Sequence, residues 1–309
     1  MIEKIVTKSF TSEEFLRAIS YGGELYFLLD GRYVFRGHAS EKWELVPSAL
    51  RENAFGNMFY DDEHRTTRRC KNTTPDWEVF QVHKEMEILR NFYEKCDKYG
   101  LLMPEVPRLR SSFFSAHSTN IITTYEDWLS KDFYELAALA QHYGLPTRLL
   151  DWSYSLLTAL YFAVSGTLTL NEIDDTPNIV VWALDSRVTD PICHRESPLK
   201  MIRPKYDGNP NLCAQKGLFT FWAVKKGHNP MTGKGNKAPT NRVQLDKLIS
   251  DYIEEGNKPL MYKIIISKEG ISELYKYLKS HHIEAATLFP GYYGVARNIN
   301  ENQSFLIKC

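Results

Sequence analysis

The chain has 309 residues, of which 43% are hydrophobic, 25% charged and 13% aromatic, and its formal net charge is zero. That length supports one large core or two small ones, and the balance is that of an ordinary globular protein. It excludes a protein that coats nucleic acid through a global positive field, so contact with a polyanion has to use a local patch.

Taken in chain order, Thr11 to Glu14 has capping-box spacing, and Phe15, Leu16 and Ile19 follow on one helical face. That helix is expected to end near Gly22-Gly23. Tyr33 to Arg36 reads as a short strand ending at Gly37. Residues 52–75 are polar and irregular, with a basic cluster from His64 to Arg69, and read as a loop or insertion. A long amphipathic helix is predicted over Asp76 to Tyr99, with Val82, Met86, Leu89, Tyr93 and Cys96 at spacings of three or four and Gly100 as its stop. Residues 101–124 hold three prolines and several serines and read as a loop. Asp127 to Tyr143 is predicted as a second helix, stopped by Gly144 and Pro146.

Arg148 to Trp152 reads as a strand, Ser155 to Val164 as an apolar helix, and Ile179 to Leu184 as a buried strand. Leu218 to Val224 is a further strand, followed over 225–242 by a basic, acid-free loop with three glycines. Pro259 to Ile266 reads as a strand, Gly270 to Lys279 as a helix, and Thr287 to Gly291 as a short strand running into a turn. The alternation of helices and short strands predicts an α+β fold.

The five cysteines, Cys70, Cys96, Cys193, Cys213 and Cys309, are scattered with no CxxC pair, which argues for reduced thiols and against a zinc knuckle. The stretch Met1-Ile2-Glu3-Lys4 opens no apolar signal core, and no apolar run reaches the length of a membrane span. The expectation is a cytoplasmic protein without membrane contact and without a metal site.

Two distant segments carry most of the chemistry. The first is Tyr33-Val34-Phe35-Arg36-Gly37-His38, with Trp43, Pro47 and Arg51 after it. The second is Gln141-His142-Tyr143-Gly144 through Arg148-Leu149-Leu150-Asp151-Trp152-Ser153. Each sets arginine, histidine or tryptophan beside a glycine at the end of an apolar run, where a core meets its rim and a backbone or ligand can approach. The pattern suits an anionic, planar ligand. Arginine matches phosphate oxygens, and Arg36 and Arg148 are the candidates, each with the alternative of pairing a carboxylate such as Asp151.

With Ala159-Leu160-Tyr161-Phe162-Ala163, Ala214-Gln215-Lys216-Gly217-Leu218-Phe219 and Leu288-Phe289-Pro290-Gly291, these motifs resemble the FRG-domain family over roughly residues 25–300. Their order is similar to that of ADP-ribosyltransferases of the arginine–serine–glutamate kind. The resemblance implies a single domain over 1–309, an ADP-ribosyltransferase-like mixed β core of short strands with surrounding helices, and a helical insertion at about 52–145. It implies an enzyme that takes NAD as substrate, acting as a toxin of a toxin–antitoxin or phage-defence system. The acceptor would be RNA, DNA or protein, with RNA favoured; basic segments 64–71 and 225–242 would hold a nucleic acid, and an antitoxin protein would inhibit it.

On this reading Arg36 holds pyrophosphate, and Gly37 and His38 line the nicotinamide. Tyr143 or Trp152 stacks on the ring, and Arg148 is a second anion ligand. His142 donates to a ribose hydroxyl, or is a histidine favoured by a helix C-terminus. Ser153 and Ser155 orient the catalytic group, or one of them caps the following helix. The sequence departs from the pattern at Gln215, which stands where a glutamate is expected; Asp151 and Glu284 are next in line as the acid. Two other readings remain at this point: a catalytically inactive nucleotide-binding module, and a nuclease built on His142, Arg148 and Asp151.

Overall fold

The computed structural model describes residues 3–51, 54, 77–110, 127–170, 178–190, 192–194, 197–224, 243–254 and 258–307. The basic segments at 64–71 and 225–242 lie outside the described residues.

The chain opens with strand β1 (Ile5–Phe10) and helix α1 (Ser12–Ile19). Thr11 starts that helix through the capping box anticipated from sequence: its Oγ1 accepts from the Glu14 N–H, and the Glu14 carboxylate accepts from the Thr11 N–H at 2.8 Å. Strand β2 (Tyr33–His38) runs two residues past Arg36. Helices α2 (Trp77–Lys98), α3 (Pro107–Arg110) and α4 (Tyr134–His142) follow. Strand β3 (Leu150–Ser153) leads into α5 (Leu156–Gly166), then β4 (Ile179–Asp185), β5 (Leu199–Ile202), the short α6 (Pro210–Ala214) and β6 (Gly217–Trp222). Helix α7 (Leu245–Tyr252), β7 (Met261–Ile266), α8 (Ile271–Ser280), α9 (Ala285–Leu288) and α10 (Tyr292–Ile307) complete it.

Among the described residues, seven strands form one mixed sheet in the order β1-β7-β4-β2-β3-β6-β5. β1 pairs parallel with β7, whereas the other neighbours are antiparallel. The fold is therefore mixed α and β, as the alternation predicts.

Two expectations fail. The segment 127–133 is not helical: Trp128 bridges Val224 through backbone hydrogen bonds in both directions, and a 3₁₀ turn precedes α4. Residues 287–291 are not a strand: Thr287 Oγ1 bonds back to the Glu284 carbonyl at 2.9 Å, closing the short α9.

One face of the sheet carries two separate cores. Phe35, Val181 and Ile264 pack against α5 and α8 in the first. Phe219 and Phe221 pack against α2 and α4 in the second. Val34, Trp152, Trp182 and Leu218 lie on the opposite face, with α7. Strands alternate their side chains, so successive residues feed opposite faces. The gap between the two cores on the first face is where the site lies.

Candidate functional site

β2 pairs with β4 at six positions but with β3 only where Phe35 faces Ser153. Beyond that pair the ladder between β2 and β3 is replaced by a side chain. Arg36 Nη1 donates to the Asp151 carbonyl at 2.8 Å and to Asp151 Oδ2 at 2.6 Å. Gly37 is required here by packing. A Cβ on it would lie 1.8 Å from the Ala159 carbonyl oxygen, so glycine lets β2 and α5 touch backbone to backbone.

A cavity of about 240 Å³ opens beside this junction. Phe35 and Ala159 from the first core and Leu212 and Phe219 from the second border it. Its polar lining is Arg36, Gln141, His142, Asp151, Ser153, Asn209 and Gln215. The two sequence motifs, about 110 residues apart, thus meet in one recess.

Asp151 is the centre of its polar network. Gln141 Nε2 donates to Asp151 Oδ1 at 2.9 Å, and Thr147 Oγ1 donates to Gln141 Oε1. Protein atoms crowd the Asp151 carboxyl, yet 62% of its side-chain surface stays open through the cavity mouth. Burial works against its ionisation, but the Arg36 charge and the hydrogen bonds win, and its pKa lies below the ordinary carboxylate value. Asp151 is an anion at neutral pH, fixed on both oxygens and still accessible.

His38 stands behind Arg36 rather than in the cavity. Arg36 Nε donates to its Nε2 at 2.9 Å, which needs a neutral imidazole with its proton on Nδ1. Burial first, and the adjacent Arg36 second, push its pKa down to about 3. His142 lines the cavity and is exposed; partial burial lowers its pKa. Both rings are neutral at pH 7.

Gln215 borders the same cavity, but precedes β6 as the cap of α6 rather than lying in the strand. Its Nε2 donates to the Leu288 carbonyl at 3.1 Å, and its own carbonyl accepts from Ser153 Oγ at 2.7 Å. Ser153 therefore positions Gln215. Ser155 does not reach the cavity lining: its Oγ accepts from the Thr158 N–H at 3.2 Å as the cap of α5. Trp152 borders the cavity, but its indole N–H is bound to Thr220 Oγ1 at 2.8 Å and its ring packs on the opposite face of the sheet, so it does not stack in the recess. Tyr143 is mostly exposed, edge-on to the His142 ring, and is not part of the lining.

Arg148 is the clearest correction. It lies buried under the second core, where its Nε and Nη2 donate to Glu85 at 2.5 and 2.9 Å. The same carboxylate accepts from Trp128 Nε1 at 2.7 Å and Gln81 Nε2 at 2.9 Å. Arg148 is a structural group that joins β3 to α2. It cannot act with His142 and Asp151, and the nuclease trio does not assemble. Glu284 caps α9 and accepts from Asn298 Nδ2 at 3.0 Å, outside the cavity lining.

Gln141 and Thr147, which orient Asp151, were missed as site residues. The signal was present, because both sit inside the second motif six residues apart. A larger cavity of about 760 Å³ lies at the edge strand β5 between Lys131, Lys200 and Arg203, and brings together none of the motif residues. Among the described residues, no cluster of histidine, cysteine or carboxylate groups is arranged to hold a metal, and no helix is long and apolar enough to cross a membrane.

Residues 31–172 match the family model of the FRG domain. The match takes in Arg36, His142, Asp151 and Ser153 and ends before Gln215. No curated protein and no solved structure matches the chain.

Proposed function

This chain is an FRG-domain protein, and on that premise we propose that its cavity is the active site of an NAD-dependent ADP-ribosyltransferase with an ADP-ribosyltransferase-like fold. The observation that carries the reading is an ionised, accessible Asp151 held by Arg36 in the same recess as Gln215.

Breaking the nicotinamide–ribose bond develops positive charge on the ribose, and a fixed anion beside it lowers the barrier. Asp151 supplies that charge in place of the expected glutamate. Gln215, whose amide is positioned through Leu288 and whose backbone is fixed by Ser153, accepts from a ribose hydroxyl. Arg36 uses Nε and Nη1 within the protein, so Nη2 is the donor it offers a phosphate. A recess of about 240 Å³ is smaller than the pockets of roughly 300–1,000 Å³ that enclose whole ligands, so it takes the nicotinamide–ribose end and leaves the rest of the dinucleotide outside.

The electrons of the broken C–N bond leave with nicotinamide. The acceptor atom then bonds to the ribose carbon and releases its proton to solvent. A carboxylate held below the ordinary range is a weak base, so the acceptor has to be nucleophilic already. The test is to incubate the chain with NAD labelled in the adenosine half together with total RNA, DNA and protein. Label transferred to one fraction supports the reading. NAD binding with no nicotinamide released would instead make the chain an inactive nucleotide-binding module.

A further inference from the structure

The cavity of about 760 Å³ at edge strand β5 shares no lining residue with the reactive recess. Helix α4 connects the two. Its first residue, Tyr134, borders the larger cavity, whereas Gln141 and His142 at its end border the smaller one. At 1.5 Å per residue α4 is about 13 Å long, so an anion held at its start touches neither Gln141 nor His142.

The start of that helix suits an anion, and the protein leaves it unused. The 3₁₀ turn Lys131–Phe133 runs straight into α4, and the first turn of a helical run leaves N–H groups with no acceptor of its own. Ser130 holds the capping position, but its hydroxyl makes no capping bond. Ser130 is 8% exposed, and its Oγ has no hydrogen-bond partner among the described residues. A buried hydroxyl in that state costs free energy until something bonds to it. Ser130 and Lys131 both border the cavity. The chain before them is held from behind, where Trp128 and Val224 exchange backbone hydrogen bonds at 2.8 and 2.6 Å.

The charges of the lining leave a small local surplus. Lys200 and Arg203 come from β5 and the residue after it. Among the described residues neither Lys131 nor Arg203 pairs with a carboxylate; the printed contact of Arg203 Nη2 is the Met201 sulfur at 3.8 Å. Asp132, the acid of the first turn, goes to Arg108 at 2.8 Å. Arg187 also borders the cavity but is taken by Asp185, which accepts from its Nε at 3.0 and 3.1 Å. Lys131, Lys200 and Arg203 then face Asp127 and Asp190, and Asp190 already accepts from the Ile192 N–H at 2.8 Å. The positive end of the helix adds to that surplus.

Donors of this kind, a hydroxyl, helix N–H groups, an ammonium and a guanidinium, match the several oxygens of one phosphate. Leu129, Met201 and Ala223 give an organic body an apolar seat beside it. The volume falls within the roughly 300–1,000 Å³ of small-molecule sites. A polyanionic strand would need many more cations than this lining holds. We propose that the cavity at the start of α4 is a second ligand site, for a small phosphorylated molecule whose phosphate sits between Ser130, Lys131 and Arg203. The site does not depend on the transferase reading.

The experiment is calorimetry on the full chain with AMP, ribose 5-phosphate and adenosine as probes. AMP is expected to bind at least about tenfold more tightly than adenosine, because the phosphate adds charge-assisted hydrogen bonds. AMP binding more tightly than ribose 5-phosphate identifies a nucleotide as the source of the phosphate, and the reverse order identifies a sugar phosphate. Lys131→Gln and Arg203→Gln should each weaken AMP binding about tenfold, and Ser130→Ala about threefold. Lys131 and Arg203 are exposed and the Ser130 hydroxyl has no partner to lose, so all three variants should fold, which melting curves check. Arg36→Gln, in the other recess, should leave this binding in place.

Adenosine binding as tightly as AMP overturns the proposal. So does wild-type AMP affinity in the folded Lys131→Gln and Arg203→Gln chains. So does AMP binding that Arg36→Gln abolishes, which would put the phosphate in the reactive recess. The two claims fail separately. A chain that releases no nicotinamide from NAD, yet loses AMP affinity when Lys131 or Arg203 is replaced, removes the transferase reading and keeps this site. A chain that releases nicotinamide and binds AMP equally well in every variant of this cavity removes the site alone.

Discussion

The two motifs each set an arginine in or beside a strand, Arg36 within β2 and Arg148 two residues before β3, and each arginine meets a carboxylate, yet the two pairs do opposite work. Arg148 and Glu85 are both 4% exposed, and every donor around Glu85 is a protein group. Arg36 is 13% exposed and Asp151 is 62% exposed, at the mouth of a cavity. A closed pair has nothing left to offer a ligand. An open pair keeps its carboxylate ionised, oriented and reachable. Chemistry-bearing residue types in a motif thus divide by what surrounds the partner carboxylate, not by the arginine itself.

The largest expected effect tests the closed pair. Arg148→Ala leaves the Glu85 charge buried without its main partner and should cost about 3–5 kcal/mol of stability, read by denaturant unfolding. A loss under about 1 kcal/mol would mean that the pair is not the tie between β3 and α2. The open pair should respond in the other currency. Arg36→Ala is expected to lower NAD turnover about 10²–10³-fold by freeing Asp151, and to cost less stability than Arg148→Ala because the carboxylate it releases faces water. Unfolding of that variant at ordinary temperature would erase the distinction between the two arginines.

His38 sharpens the same contrast through pH. Its folded pKa of about 3 lies far below the unfolded value of 6.5. Between those values the unfolded chain binds a proton that the folded chain refuses, so stability falls as pH drops below 6.5. The loss between pH 6.5 and 4 should be on the order of 3 kcal/mol, and His38→Gln, which can still accept from Arg36, should flatten that part of the curve. The same slope in the variant would place the acid sensitivity elsewhere. The smallest effect marks where the reactive region ends. Ser155→Ala should cost about 1 kcal/mol as a lost helix cap and leave NAD turnover unchanged; a hundredfold loss of turnover would return Ser155 to the site.

What could be read from the sequence follows the range of the interactions involved. The Thr11–Glu14 cap is closed by neighbours, and β4, Ile179–Asp185, is buried along its whole length, so both were legible. The 127–133 segment was misread as helix because its conformation is set by Val224, almost a hundred residues away. The edge strands β1 and β5 escaped notice because their ladders form with β7 and β6, and their short runs carry exposed or partly exposed positions. The site divides in the same way. Arg36 and Asp151 could be chosen from their motifs, but the fate of Arg148 was decided by Glu85, a residue inside a helix 63 positions upstream. Gly37 was chosen for ligand approach and does line the cavity, and its missing Cβ is needed as well by the backbone of α5.

The central claim is that Asp151, held by Arg36, is the carboxylate that stabilises charge on the ribose of NAD. The direct test is the rate of nicotinamide release from NAD by the wild-type chain and by Asp151→Asn, which keeps the shape of the side chain and removes its charge. The account predicts measurable release by the wild type and a loss of about 10²–10³-fold in the variant, which still unfolds in a cooperative melting transition. Release by Asp151→Asn at the wild-type rate would contradict it.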